Sequence, residues 1–254
     1  MTQSVNTKRV LLKDMQGNFL IPYTDGGGSS SGILPDGYAI TVATDGSGDF
    51  TDIQSALNSL DGKACAGILY VKLKAGDTFN VSSTITLPAT LNTATLYICS
   101  DTANSLAYIV SSAATTLSIS QYVGYCVYFQ DLSFEGDNQS HSWSRVVSAS
   151  NVSTYMIRCT VLKAYFGYLA DNGGKLLLNN CIAKNCNTGV QAYYANIHVY
   201  NNFNIQSCTT GFGVYEAGVI QAGGGTLTKT SVTNLFGKTK NQIDDSGVII
   251  SNWS

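Results

Sequence analysis

Residues 159–224 divide into three consecutive segments of equal length. They read CTVLKAYFGYLADNGGKLLLNN (159–180), CIAKNCNTGVQAYYANIHVYNN (181–202) and FNIQSCTTGFGVYEAGVIQAGG (203–224). Laid over one another, they match column by column. Gly167, Gly189 and Gly211 fall in one column, and Ala164, Cys186 and Cys208 in another. Cys159, Cys181 and Phe203 open the segments. The pairs Asn179-Asn180, Asn201-Asn202 and Gly223-Gly224 close them. A fixed period in the twenties is the mark of a solenoid, in which each repeat buries its apolar side only by stacking on its neighbours.

One segment has room for three short strands and three turns. Parallel crossovers are nearly always right-handed. The expected fold is therefore all-β, a right-handed single-stranded parallel β-helix. From Asp36 to the end there is room for about ten such coils, or a rod of roughly 45–50 Å at the usual strand spacing. The paired asparagines predict an internal ladder at one turn, each amide bonded to the next coil.

Composition agrees with stacked short strands. Charged residues make up 12% of the chain and hydrophobic ones 44%, so polarity rests on small neutral side chains while enough apolar material is left for a core. Net charge is −2 and no Lys/Arg cluster offers counterion release, which argues against nucleic acid. A neutral, carbohydrate-like partner fits better. No apolar run reaches the ~18 residues of a membrane span. The N-terminal stretch lacks the apolar core of a signal peptide, so synthesis in a reducing cytosol is expected. The seven cysteines contain no C-x-x-C pair, and four follow the repeat. They read as free thiols used as small apolar fillers. His141 and His198 do not complete a metal site with them. No cofactor or metal is expected.

Upstream of the repeat, residues 1–24 read as a hairpin and attachment segment, with strands at Lys8–Asp14 and Phe19–Tyr23 about a turn at Met15-Gln16-Gly17-Asn18. Residues 25–35 form a Gly/Ser linker. The β-helix domain then runs from 36 to 254. Near its start, Thr51 or Asp52 caps a short helix whose apolar face is Ile53, Ala56, Leu57 and Leu60. That helix is a natural lid for the open end of a stack. The spacing from Leu132 to Cys159 exceeds the period by about five, so this coil carries an insertion, in the loop Gly136 to Ser144. Insertions in solenoids collect on the binding face. Trp253 is placed to cover the far end.

Two stretches resemble known families. TVATDGSGDFTDIQSAL (41–57), followed by ILYVKLKAGDTFNVSSTITL (68–87), resembles the opening of the pectin-lyase-like β-helix superfamily. Pectin methylesterases begin this way, as do many bacteriophage tail proteins. KRVLLKDMQGNFLIPYT (8–24) resembles the lead segment that precedes receptor-binding domains in phage and prophage tail proteins. Together these resemblances imply a tail fibre or tailspike-type receptor-binding protein, homotrimeric, acting on host surface polysaccharide. The methylesterase site does not carry over. Tyr165-Phe166-Gly167-Tyr168-Leu169 and Thr188-Gly189-Val190-Gln191 stand where its two aspartates would be sought, and neither segment supplies them.

Candidate chemistry falls into three groups. Asp131 and Glu135 precede the inserted loop. If strand alternation holds, they share a face with Ser133, as an acid–base pair on a glycosidic bond would require; the competing reading is a solvated edge. His141, Trp143 and Arg145 in and after the loop suit a sugar ring, with indole beneath and polar groups around; the competing reading packs the Trp onto the coil or a neighbouring subunit. Tyr193 and Tyr215 are one period apart, as are Tyr194 and Glu216, so outward tyrosines line up into a surface for a glycan or a second subunit. Asp171 and Arg158 read as isolated ionisable groups, Arg158 closing the end of the asparagine ladder.

The function expected is a phage tail receptor-binding protein recognising host surface polysaccharide. A polysaccharide depolymerase (hydrolase or lyase) on the same β-helix is the alternative, and a carbohydrate esterase a third. Expected partners are the glycan, two further copies of the chain, and other tail proteins through the N-terminal segment. Nucleic acid and membrane insertion are not expected. The place of action is the virion tail at the host surface.

Overall fold

Inward-facing positions decide the architecture. In the computed structural model, Leu69, Val71, Leu96, Ile98, Val127, Phe129 and Met156 alternate with outward residues and are nearly inaccessible to solvent. The model describes residues 33–119, 125–136, 145–150, 153–236, 243–244 and 247–251. The expected hairpin at 1–24, the linker up to residue 32, His141, Trp143 and Trp253 lie outside the described residues.

The described chain winds as a parallel β-solenoid with three faces. On the first face, Tyr38–Val42, Ile68–Leu73, Thr95–Ser100, Cys126–Gln130 and Ser153–Ile157 pair in parallel, one per coil. The ladder continues through the first halves of Lys175–Lys184 and Asn196–Gln206, then Gly218–Gly223 and Gly247–Ser251. The second face runs from Thr78–Val81 to Leu227–Thr230. The third runs from Ile85–Thr86 through Thr115–Ile119, Arg145–Ser150, Phe166–Asp171, Thr188–Tyr193 and Thr210–Tyr215 to Asn234–Phe236. Among the described residues six turns separate the first coil with all three faces from the last.

The sequence period holds where it is legible. Thr160, Ile182 and Asn204 are partners on the second face, and Phe166, Thr188 and Thr210 on the third. Earlier coils are longer. Tyr70 pairs with Tyr97 and Tyr97 with Tyr128, and both steps exceed the one from Leu177 to its partner His198. Longer coils leave fewer of them than the ten expected, and the rod shortens accordingly. The long step from Ser133 to its partner Thr160 confirms the insertion in that coil.

Left-handed residues make the bends, three per coil between Arg158 and Glu216. Asp131, Arg158, Asn180 and Asn201 turn the chain from the first face to the second. Lys163, Asn185, Ser207 and Ser231 turn it from the second to the third. Asn172, Tyr194 and Glu216 turn it back. The asparagine ladder exists, but it is on the surface. Asn201 Nδ2 donates to Asn179 Oδ1 at 2.7 Å, and Asn202 Oδ1 accepts from the Thr226 amide at 3.0 Å, all at exposed or half-exposed positions. Asn180 and Asn201 hold left-handed bends whose side chains are exposed, so this ladder lies outside the core.

The glycine column is a packing requirement. A Cβ at Gly167 would approach Gly189 O to 2.7 Å and Val161 Cγ2 to 2.9 Å. Cys159, Cys181, Cys186 and Cys208 are free and buried, as filler thiols should be. The helix Ile53–Asn58 begins at Asp52, whose carboxylate accepts from the Ser55 amide at 2.8 Å. Ile53, Ala56, Leu57 and Leu60 are buried, and the helix packs on the earliest strands. Burial of Ile53, Leu57 and Leu60 contributes about 1.5–3 kcal/mol each. Among the described residues no helix is long and apolar enough to cross a membrane.

On the outer side of the first face, register brings Tyr70, Tyr97, Tyr128 and Tyr155 into one row. Their rings stack with centroids 5.3, 4.5 and 4.3 Å apart. The inner rings of the row are covered on both faces by each other.

Candidate functional site

Asp131 and Glu135 do not share a strand face. Asp131 occupies a left-handed bend (φ 56°) and is buried. Arg158, in the same bend one coil on, takes both its carboxylate oxygens at 2.7 Å each. Arg158 is thus an ion-pair partner, in a column that continues with the asparagines. Burial pushes the Asp131 carboxyl up. Hydrogen bonds from Arg158, the Asn104 amide and Gln130 overcome that and lower its pKa on balance. Glu135 pairs with Lys163 at the next bend. Both carboxylates are engaged, in two separate ion pairs.

The third face carries the groove. Its strands alternate, with Tyr168, Ala170, Val190, Ala192 and Phe212 pointing inward. The outward partners are Leu169, Gln191 and Gly213 in one row, and Asp171, Tyr193 and Tyr215 in the next. Leu169, Gln191, Asp171, Tyr193 and Tyr215 line a cavity of about 440 Å³, together with Arg145, Tyr165, Phe166 and Thr188.

Arg145 starts its strand and Asp171 ends the strand of the following coil. The Arg145 side chain runs along the face to meet it, Nη1 to Oδ2 at 3.2 Å. Asp171, which the sequence presents as isolated, is therefore paired and buried. Gln191 is 2% exposed. Its Nε2 donates to Ala192 O at 3.1 Å, and its Oε1 has no hydrogen-bond partner.

At the rim the aromatic groups are accessible. Tyr193 is 38% exposed, Tyr194 51% and Tyr215 57%. Tyr193 and Tyr194 meet edge to face, with centroids 5.0 Å apart. The Glu216 carboxylate beside them raises the pKa of both phenols. Tyr194 and Glu216 hold left-handed backbone conformations (φ 48° and 46°). That region is costly for a bulky side chain, and such strain collects at functional positions.

The structure thus joins Arg145 to Tyr193 and Tyr215 in one groove, and sets Tyr194 and Glu216 at its edge. Asp171, Thr188 and Gln191 are groove residues that sequence reasoning does not nominate. Their signal lies in the repeat: Leu169, Gln191 and Gly213 are one period apart, as are Asp171, Tyr193 and Tyr215. Among the described residues no cluster of three His, Cys, Asp or Glu is placed to hold a metal ion.

No protein-family model matches the chain, and no curated protein matches its sequence. Among solved structures it is similar to the pectin methylesterase from Aspergillus niger, at 12% identity and a TM-score of 0.45, over 83% of this chain and 93% of that one. The chemistry of the groove rests on this chain's own side chains.

Proposed function

We propose that the chain is a receptor-binding protein of a phage tail and that the third-face groove holds host surface polysaccharide. One observation carries the reading: two accessible tyrosines, Tyr193 and Tyr215, flank a groove that sets polar Thr188 and Gln191 among apolar Tyr165, Phe166 and Leu169, and whose Arg145 and Asp171 charges are paired. Aromatic rings cover the apolar faces of sugars, while amide, hydroxyl and guanidinium groups hold their hydroxyls. The resemblance of residues 8–24 to tail-protein lead segments supports the same class. On this reading the chain assembles as a homotrimer on the virion, and its N-terminal segment joins other tail proteins. The helix Ile53–Asn58 closes the proximal end of each stack.

Binding without cleavage is the form that the ion pairs favour. A general acid for glycoside hydrolysis needs a raised pKa. Asp131 has a lowered one and is held by Arg158. Glu135 is committed to Lys163.

The test is co-sedimentation with host cells and with their purified surface polysaccharide. Wild type binds both, and Tyr193→Ala/Tyr215→Ala binds about tenfold more weakly, since each ring contributes about 0.5–1.5 kcal/mol. Unchanged binding by the double variant sinks the groove assignment. Light scattering that finds a 254-residue monomer counts against the tail assembly.

A further inference from the structure

Leu169, Gln191 and Gly213 are outward register partners on three successive coils. The row runs from a branched apolar side chain to a long amide to no side chain. The empty third position is what the second one uses. A Cβ at Gly213 would lie 2.4 Å from Gln191 Oε1 and 3.4 Å from Thr188 Cγ2. Gly213 does not adopt the left-handed conformation. Glycine is needed there for room.

The amide seated over Gly213 has a fixed orientation. Its Nε2 is bonded to Ala192 O. Turning the amide over would set Oε1 against that carbonyl, so Oε1 stays on the Gly213 side. There it is buried, within a residue that lines the groove, and unpaired. A buried acceptor without a donor is unfavourable, and a donor brought to it is correspondingly rewarded. The charges nearby do not ask for an ion. Arg145 is bonded to Asp171 inside the same groove. An anionic sugar would compete with Asp171 for the guanidinium, and its carboxylate or phosphate oxygens would bring further acceptors toward Oε1.

We propose that the groove selects an uncharged glycan, with Gln191 accepting a hydrogen bond from a sugar hydroxyl and Gly213 acting as the seat that positions it. This deepens the receptor-binding reading and rests on it. A sugar hydroxyl can donate to Oε1, which an ionised carboxylate or phosphate oxygen cannot. Gly213 is a positioning residue: it acts through Gln191.

The experiment is a printed array of neutral hexose and N-acetylhexosamine oligosaccharides beside uronate-, sialate- and phosphate-bearing ones. Calorimetric titration of the best neutral binder follows, against wild type, Gly213→Ala, Gln191→Ala and the double variant. An alanine methyl at Gly213 meets the end of Gln191 and displaces the amide, and melting temperatures measured beside the titrations confirm that the variants are folded. Gln191→Ala gives the same readout without touching the glycine. Neutral glycans bind, each single variant weakens binding about tenfold, and the double variant is no weaker than Gln191→Ala, because the two act as one unit. Binding confined to acidic glycans overturns the proposal and leaves the receptor reading standing. So does neutral-glycan binding that both single variants retain at wild-type affinity. Absence of binding across the whole array fells the receptor reading and this inference with it.

Discussion

Arg158 grips Asp131 through two parallel bonds of 2.7 Å, one from Nε and one from Nη2, across the gap between successive coils. The two ends of this pair are not equivalent. The Asp131 side chain is 2% exposed and the Arg158 side chain 36%. Removing the arginine strands a buried carboxylate, whereas removing the aspartate leaves a guanidinium that can turn to water. Arg158→Ala should therefore cost about 3 kcal/mol, near the low end for breaking a buried pair. Asp131→Ala should cost about 1–2 kcal/mol. Urea unfolding of the two variants measures the difference. Equal losses would place the pair in solvent.

The same pair sets an acid dependence. The folded Asp131 pKa lies below its ordinary value of 3.8. Its contribution is therefore fully present above 3.8 and is lost as pH falls through the folded value. Asp131→Asn should be less stable than wild type at pH 7, and the gap should close as pH drops below 3.8. Unfolding midpoints at pH 7, 5, 3 and 2 give the comparison, with those pH values chosen to bracket the ordinary carboxylate range. A gap that is constant with pH would refute the assignment.

Tyr194 separates folding from binding. Its left-handed backbone suits asparagine better than tyrosine. Tyr194→Asn should keep or raise the melting temperature while weakening glycan binding, because it relieves the bend and removes an exposed ring from the rim. A variant that loses stability instead would mean that Tyr194 is retained for packing.

Thiol chemistry reports on the core. Cys126 is half-buried and the other six cysteines are buried. Burial pushes Cys99 and Cys181 up to about 11, so thiolate is scarce at mildly alkaline pH. Ellman's reagent should titrate no more than one thiol rapidly in the native protein and all seven in denaturant. Rapid reaction of several thiols in the native state would contradict the stacked core.

How much of this is readable from sequence follows coil length. From Thr160 to Tyr215 the step is constant on the second and third faces, so Gly167, Gly189 and Gly211 expose the stack directly, and the inward cysteines and Tyr193 over Tyr215 come with it. Where the coils stretch, Tyr70, Tyr97, Tyr128 and Tyr155 share no frame, and their row emerges only in the register. Asp131 and Arg158 read as unrelated because an inserted loop separates them, although they hold equivalent bends. Asp131 and Glu135 read as neighbours on one strand, because a bend and a strand start cannot be told apart by alternation alone. Arg145 and Asp171 escape for a different reason: they begin and end the strands of two successive coils and meet across them. No periodicity encodes a diagonal contact.

The tyrosine row has an optical consequence. Four phenol chromophores stacked at 5.3, 4.5 and 4.3 Å are close enough for their electronic transitions to couple. Coupled transitions split into paired circular-dichroism bands whose size falls steeply as the rings separate. Each ring is mounted on a different coil, so the splitting gauges the pitch of the proximal half of the solenoid. The rings sit on strands paired in that same register, so the splitting reports the integrity of this ladder apart from the rest of the stack.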